Sequence, residues 1–202
     1  MSTRPFTLKQ AHGAVDRMWK KALHDSGGKP TCCKGCFACC YEPVLVSMEE
    51  VKLIVKKIPA DQAVAVKDRT QAWYQKFAAS PLIRNPHPHV MDYKALNLAC
   101  PLLDTKGNCL VYEDRPMCCR THTALGPPEL CTTDRLKQTY AQSRDMDLLI
   151  SGILFCDGVK ADHLGIFLHR LLFASQARSA AADLANKVGQ PMVGTTFGVT
   201  KQ

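Results

Sequence analysis

Cys33-Lys34-Gly35-Cys36-Phe37-Ala38-Cys39-Cys40 places four thiols within eight residues, and Cys32 sets a fifth just before them. Unlinked core cysteines have no reason to cluster in this way. Closely spaced thiols converge in space when the turns between them fold around an ion or a cluster. The knot is broken by Gly35 and too rich in cysteine to be one regular helix or strand. A second set follows after a long gap: Cys100, Cys109, Cys118, Cys119 and Cys131. The thiols therefore imply a metal site that draws on two blocks of the chain.

Outward from the knot, the flanking sequence has helical patterns. Leu8, Ala11, Val15, Met18 and Ala22 share one face at three-to-four spacing, so 6–25 is expected to be a helix that Gly27, Gly28 and Pro30 bring to a stop. Ser47 followed by Glu50 forms a capping-box pattern and starts a second helix that ends at Pro59. Residues 60–79 read as a third, with Ala63, Val66, Trp73 and Phe77 among its apolar positions. Pro81, Pro86 and Pro88 make 80–90 a loop. Leu102-Leu103 and Leu110-Val111-Tyr112 flank Asp104-Thr105-Lys106-Gly107-Asn108, which predicts a hairpin. Residues 113–128 are expected to be irregular. Helices are expected again over 129–155 and 161–187. The fold class is mainly α, a helical single domain with a cysteine-rich metal-binding knot and a small inserted β-hairpin. The domain spans 1–190 and residues 191–202 form a tail.

The bulk properties suit a globular chain. It has 202 residues, 46% apolar and 22% charged, enough for one ordinary core. No apolar run approaches the ~18 residues of a membrane span. The N-terminus carries no apolar stretch of a secretory signal. These features point to the cytoplasm, where thiols stay reduced and clustered cysteines act as ligands before they act as bridges. Eleven cysteines, an odd number, also argue against a complete disulfide set. The net charge is +8, but the basic residues are scattered, with no Lys/Arg stripe interleaved with aromatics. This argues against a nucleic-acid partner. Arg17, Lys20, Lys21, Lys29 and Lys34 crowd toward the knot, where they suit the neutralisation of thiolates.

Cys33, Cys36 and Cys39 have the C-x2-C-x2-C spacing that wraps an iron–sulfur cubane, and Cys100-Pro101 offers a distant fourth thiol. C-x2-C spacing equally supplies two ligands of tetrahedral zinc. In an extended backbone Cys39 and Cys40 would point apart and serve different sites. The three blocks together resemble a known family. Cys33-x2-Cys36-x2-Cys39-Cys40, then Cys100-Pro101-Leu102, then Gly107-x-Cys109-x-Val111-Tyr112-x2-Arg115-Pro116-x2-Cys119-Arg120 are similar to the CxxCxxCC family of zinc- or iron-chelating domains. The resemblance implies metal binding by Cys33, Cys36, Cys39, Cys40, Cys100, Cys109 and Cys119. Cys131 lies outside that pattern and is a candidate eighth ligand. Cys32 and Cys118 are read as non-ligands, and Cys156 as a core residue. His122, three residues after Cys119, has ligand spacing but falls in a loop. His87 and His89 sit in the proline-rich loop, and His163 and His169 face different ways. Arg115 and Arg120 either screen the site or pair with surface acids.

Some relatives in that family are flagellin lysine methylases, yet no glycine-rich loop here marks a binding site for a methyl donor. The sequence has no GxxxxGK[ST], GxGxxG, HExxH or GxSxG motif either, so whether the chain is an enzyme stays open. Three readings follow. The site is an iron–sulfur centre in a redox or protein-modifying role. It is structural zinc in an interaction module with a protein partner. Or the thiols carry or sense metal reversibly. Thiols in excess of four favour a cluster, or two sites, over one zinc.

Overall fold

The computed structural model describes residues 7–32, 35–84, 89–134, 137–141, 147, 150 and 161–174. Helix α1 runs Leu8–Asp25. Thr7 caps it, its hydroxyl accepting the Gln10 N–H while Gln10 Oε1 accepts the Thr7 N–H. Ala11, Val15 and Ala22 of the predicted stripe are buried, together with His12. A 3-10 turn, Ala38–Tyr41, carries two cysteines of the knot. Strand β1 (Leu45–Ser47) then leads without a break into helix α2 (Met48–Lys57). Helix α3 spans Ala63–Ala78 and α4 spans Val90–Ala95. Short helices α5 (Met117–Thr121) and α6 (Leu130–Thr133) follow. Strand β2 (Ala161–His163) runs directly into helix α7 (Leu164–Leu172).

The strands pair antiparallel, Leu45 with His163, Val46 with Asp162 and Ser47 with Ala161. Two strand–helix units are thereby joined at their strands, and α2 and α7 leave the same small sheet. Their apolar faces meet. Val46, Val51, Ile54, Val66, Leu102, Val111, Leu164, Phe167 and Leu168 form the main core, with Cys100 and Cys109 packed on its edge. Each fully buried aliphatic or aromatic side chain here contributes about 2 kcal/mol. Trp73, Phe77, Tyr93, Leu98 and Ile166 build a second cluster where α7 crosses α3. Gly165 permits that crossing, since a Cβ there would lie 2.4 Å from the Trp73 ring. A third cluster, Ala11, Val15, Met117 and Ile150, joins α1 to α5.

Glu50 ties these parts together. It is 1% exposed. As the sequence predicts, it completes the capping box of α2, accepting the Ser47 N–H at 3.0 Å through Oε2. Its other oxygen accepts the Met117 N–H at 2.8 Å and stands 3.3 Å from His12 Nε2. One carboxylate thus joins α1, α2 and α5.

Several local expectations change. The stretch 102–112 is hairpin-shaped but has only one antiparallel bridge, Leu103 with Cys109, and Leu110 N–H bonds to Leu102 O. Tyr112–Asp114 winds into a 3-10 turn, which ends the pairing. A small two-stranded sheet lies in addition at β1 and β2. Helix α5 appears inside the stretch expected to be irregular, because Glu50 satisfies its first N–H. Of the helix expected over 129–155, Leu130–Thr133 is helical as α6, 138–141 are not, residues 147 and 150 are again helical, and the rest lies outside the described residues. Tyr140 instead bridges Ala124, with Leu125 N–H bonded to Thr139 O and Ala141 N–H to Thr123 O. Residues 161–163, expected to begin a helix, are strand β2. Cys156, residues 175–187 and the tail lie outside the described residues. No helix among the described residues is long and apolar enough to cross a membrane.

Burial alone would raise the Glu50 pKa, but the hydrogen bonds from His12, Met117 and Ser47 outweigh it and hold the value below the ordinary 4.5. A lowered folded value means that the stabilisation is full above the ordinary value and fades as pH falls through the folded one. Glu50→Gln is expected to cost about 3 kcal/mol at neutral pH. In urea titrations, the gap between variant and wild type should shrink below the usual carboxylate range.

Candidate metal centre

The knot and the second cysteine block meet through the backbone. Cys40 N–H bonds to Phe37 O at 2.9 Å and Glu42 N–H to Cys39 O at 3.0 Å, which winds the first block into a tight turn. Cys100 N–H then donates to Cys40 O at 2.8 Å, and Leu103 N–H to Cys100 O at 3.0 Å. Gly35 and Gly107 both have positive φ, +86° and +80°, which glycine adopts without strain. Gly107 also lies under the Phe37 ring, where a Cβ would come within 2.7 Å of Cδ1. Phe37 thereby lies across the turn of the second block and packs the two blocks together.

One cavity of about 570 Å3 results. Cys36, Cys39, Cys40, Cys100, Cys109 and Cys119 line it, with Val44, Leu102 and Leu164 as apolar wall. Cys39 and Cys40 do not diverge to separate sites, because the backbone there is a 3-10 turn and not extended. Both side chains line the one cavity. Cys119 reaches the cavity from α5, and its neighbour Cys118 packs into the α1–α5 cluster. Cys131 does not line this cavity. It is buried on α6, and its sulfur accepts from Gln138 Nε2 at 3.1 Å. Cys32 is exposed, and its sulfur accepts the Ala124 N–H at 3.3 Å. Cys33 lies outside the described residues.

The thiols are electrostatically crowded. A hydrogen bond with Cys40 and then burial hold Cys39 far above its ordinary value. Burial pushes Cys100 up to about 12, and the neighbouring Cys109 and Cys39 add to it. Burial and then Cys100, Cys39, Cys118 and Cys109 raise Cys119. Burial also raises Cys109, partly countered by Arg115. Each thiolate formed would oppose the next, whereas a cation among them would favour all of them. An all-sulfur donor set with an apolar wall suits a soft or borderline metal. Among the described residues, no three Cys, His, Asp or Glu side chains gather closely enough to hold an ion as they stand. The thiols ring a cavity and do not close on one point.

The two arginines have different tasks. Arg115 lines the cavity, its guanidinium 3.9 Å from the Tyr112 ring centroid. Arg120 is a brace. It donates to the carbonyls of Arg115 and Glu113 and pairs with Asp16 at 3.4 Å. His122 is also away from the cavity wall, 3.5 Å from Glu42 and packed on Tyr140. His89 caps α4 through Nδ1, and His87 lies outside the described residues. His163 packs on Phe77 and His169 on Tyr74, so these two are unrelated. Phe37, Val44 and Leu164 complete the surroundings of the site. No cysteine spacing points to Val44, just before β1, or to Leu164, the first residue of α7, whose N–H bonds to Val44 O at 2.9 Å.

A family model matches residues 32–145, more than half of the chain, under the description "Putative zinc- or iron-chelating domain". The chain belongs to the CxxCxxCC family. The matched segment contains all six cavity cysteines as well as Cys32, Cys33, Cys118 and Cys131. Metal chelation is thus the general property of this domain. Neither a curated protein nor a solved structure matches the chain.

Gly107→Ala forces a side chain into the left-handed region and against Phe37, and is expected to cost about 1–3 kcal/mol. Gly35→Ala has the same backbone problem but nothing within 4 Å of its Cβ. Thermal melts should therefore show a larger loss for Gly107→Ala, and adding Phe37→Ala should recover part of the difference.

Proposed function

We propose that the cavity is an iron–sulfur centre in a redox or protein-modifying role, held by thiolates from both blocks and α5. The observation that carries this reading is that six cysteines from three separate parts of the sequence line one cavity. Six donors exceed the four that one zinc or one cluster takes, and the C-x2-C-x2-C spacing of the first block is the one that wraps a cubane. The space is also larger than a closed zinc knuckle needs. The four thiolates that a cluster takes are drawn from Cys36, Cys39, Cys100, Cys109 and Cys119, and from Cys33 through its spacing in the first block. Cys40 is poised beside Cys39 as an alternative donor. Cys131 is left out of this set, since its sulfur is engaged by Gln138 away from the cavity. A cluster bound there would supply one-electron chemistry. The chain's own contribution is the apolar wall of Val44, Leu102 and Leu164, which limits water, and Arg115, which offsets thiolate charge.

A second reading, a reversible carrier or sensor, is favoured by one observation. Cys36 is exposed, so a bound ion has a route to exchange. Structural zinc in an interaction module is the third reading.

Metal and sulfide analysis on protein purified without oxygen tests the proposal. The protein should be brown, contain iron and sulfide, and bleach in air. Colourless protein with stoichiometric zinc would decide for the zinc reading. Cys36→Ser and Cys109→Ser should each lower bound metal and destabilise the fold, because binding energy is also folding energy. Cys131→Ser should leave metal content unchanged.

A further inference from the structure

Cys100 lines a second cavity as well, of about 360 Å3. Helix α3 presents Arg69, Ala72, Trp73 and Lys76 to it, four positions on one helical face. Leu98 and Leu103 complete an apolar floor. Arg69 is only partly used by the protein. Its Nε donates to Pro101 O at 2.9 Å, which holds the turn after Cys100. Its Nη2 is buried with no hydrogen-bond partner among the described residues. A buried guanidinium nitrogen without an acceptor is uncommon, because its desolvation goes uncompensated.

The carboxylate on the cavity wall does not fill this need. Asp104 Oδ1 accepts the N–H groups of Lys106 at 2.8 Å and Asn108 at 2.7 Å. Asp104 Oδ2 accepts from Asn108 Nδ2 at 3.2 Å. That side chain is committed to shaping its own turn. The cavity is left with two cationic groups, Arg69 and Lys76, above a floor of Trp73, Leu98 and Leu103.

We propose that this cavity binds a small organic carboxylate, its charged end on Arg69 and Lys76 and its apolar body on Trp73 and the two leucines. The guanidinium fork matches a carboxylate in shape, and pockets of this size with an apolar lining and few polar groups suit small ligands. A bare inorganic anion would leave the floor uncovered. The site shares Cys100 and Leu103 with the thiol-lined cavity but none of its other thiols. The assignment does not depend on what metal that cavity takes.

Trp19 and Trp73 are the two tryptophans, so Trp19→Phe leaves Trp73 as the reporter. Benzoate, benzamide and inorganic phosphate are the probes, added to the full chain and followed by tryptophan fluorescence. Calorimetry on the wild type gives a second readout. Saturable benzoate binding is expected, with benzamide at least about tenfold weaker and phosphate weaker still. Arg69→Gln should weaken benzoate by about tenfold or more, and Arg69→Lys should restore part of it. Lys76→Gln, at an exposed position, should weaken benzoate severalfold without touching the fold, which keeps the test valid if Arg69→Gln is unstable. Absence of saturable benzoate binding, equal affinity for benzamide, or phosphate bound as tightly as benzoate would each overturn the proposal. So would unchanged benzoate affinity in the Arg69 and Lys76 variants.

Discussion

The buried carboxylate of Glu50 is the constraint on which the arrangement of the helices depends. A carboxylate at 1% exposure is tolerable only when its oxygens are fully engaged. Three elements meet that demand at once: the start of α2, His12 of α1 and the first N–H of α5. Helix α5 has five residues, too few to be stable alone. Its placement comes from Glu50 and from Met117, which is wholly buried in the α1–α5 cluster. Cys119 reaches the thiol-lined cavity only because α5 is held there. A capping box that looks local thus fixes one wall of the site.

A second constraint acts at the cavity itself. Six thiols cannot share a low-dielectric space as anions without a compensating positive charge. The raised thiol pKa values express that conflict, with burial first and neighbouring sulfurs next for Cys100 and Cys119. The ring of sulfurs and the apolar wall belong to one design, since the wall strengthens both the repulsion between bare thiolates and the attraction of a bound cation. The family match to a zinc- or iron-chelating domain agrees with this chemistry.

The helical patterns of α1, α2 and α3 were legible because each has a repeating apolar face and two have side-chain caps written in the sequence. The cysteine spacing was legible because short loops leave thiols little freedom to separate. Other features had no local signal. The pairing of β1 with β2 joins residues more than a hundred positions apart, and strands of three residues carry no usable periodicity. Residues 161–163, read from the sequence as the start of a helix, become a strand because β1 offers its edge. Residues 139–141 likewise run along Thr123–Leu125, although the sequence around them reads as helical.

The sequence by itself determined the chemistry of the site and the mainly helical class, since residue type, spacing and periodicity are local properties. Tertiary structure alone decided which thiols share a space. It turned Cys39 and Cys40 toward the same cavity, carried Cys119 in on α5, and left Cys131 hydrogen-bonded to Gln138 on α6. It also brought Arg69 of α3 beside the Cys100–Pro101 turn, with one guanidinium nitrogen buried and unsatisfied. Such outcomes depend on how distant segments satisfy each other's buried polar groups and apolar faces. That reckoning is closed only when the whole chain has packed.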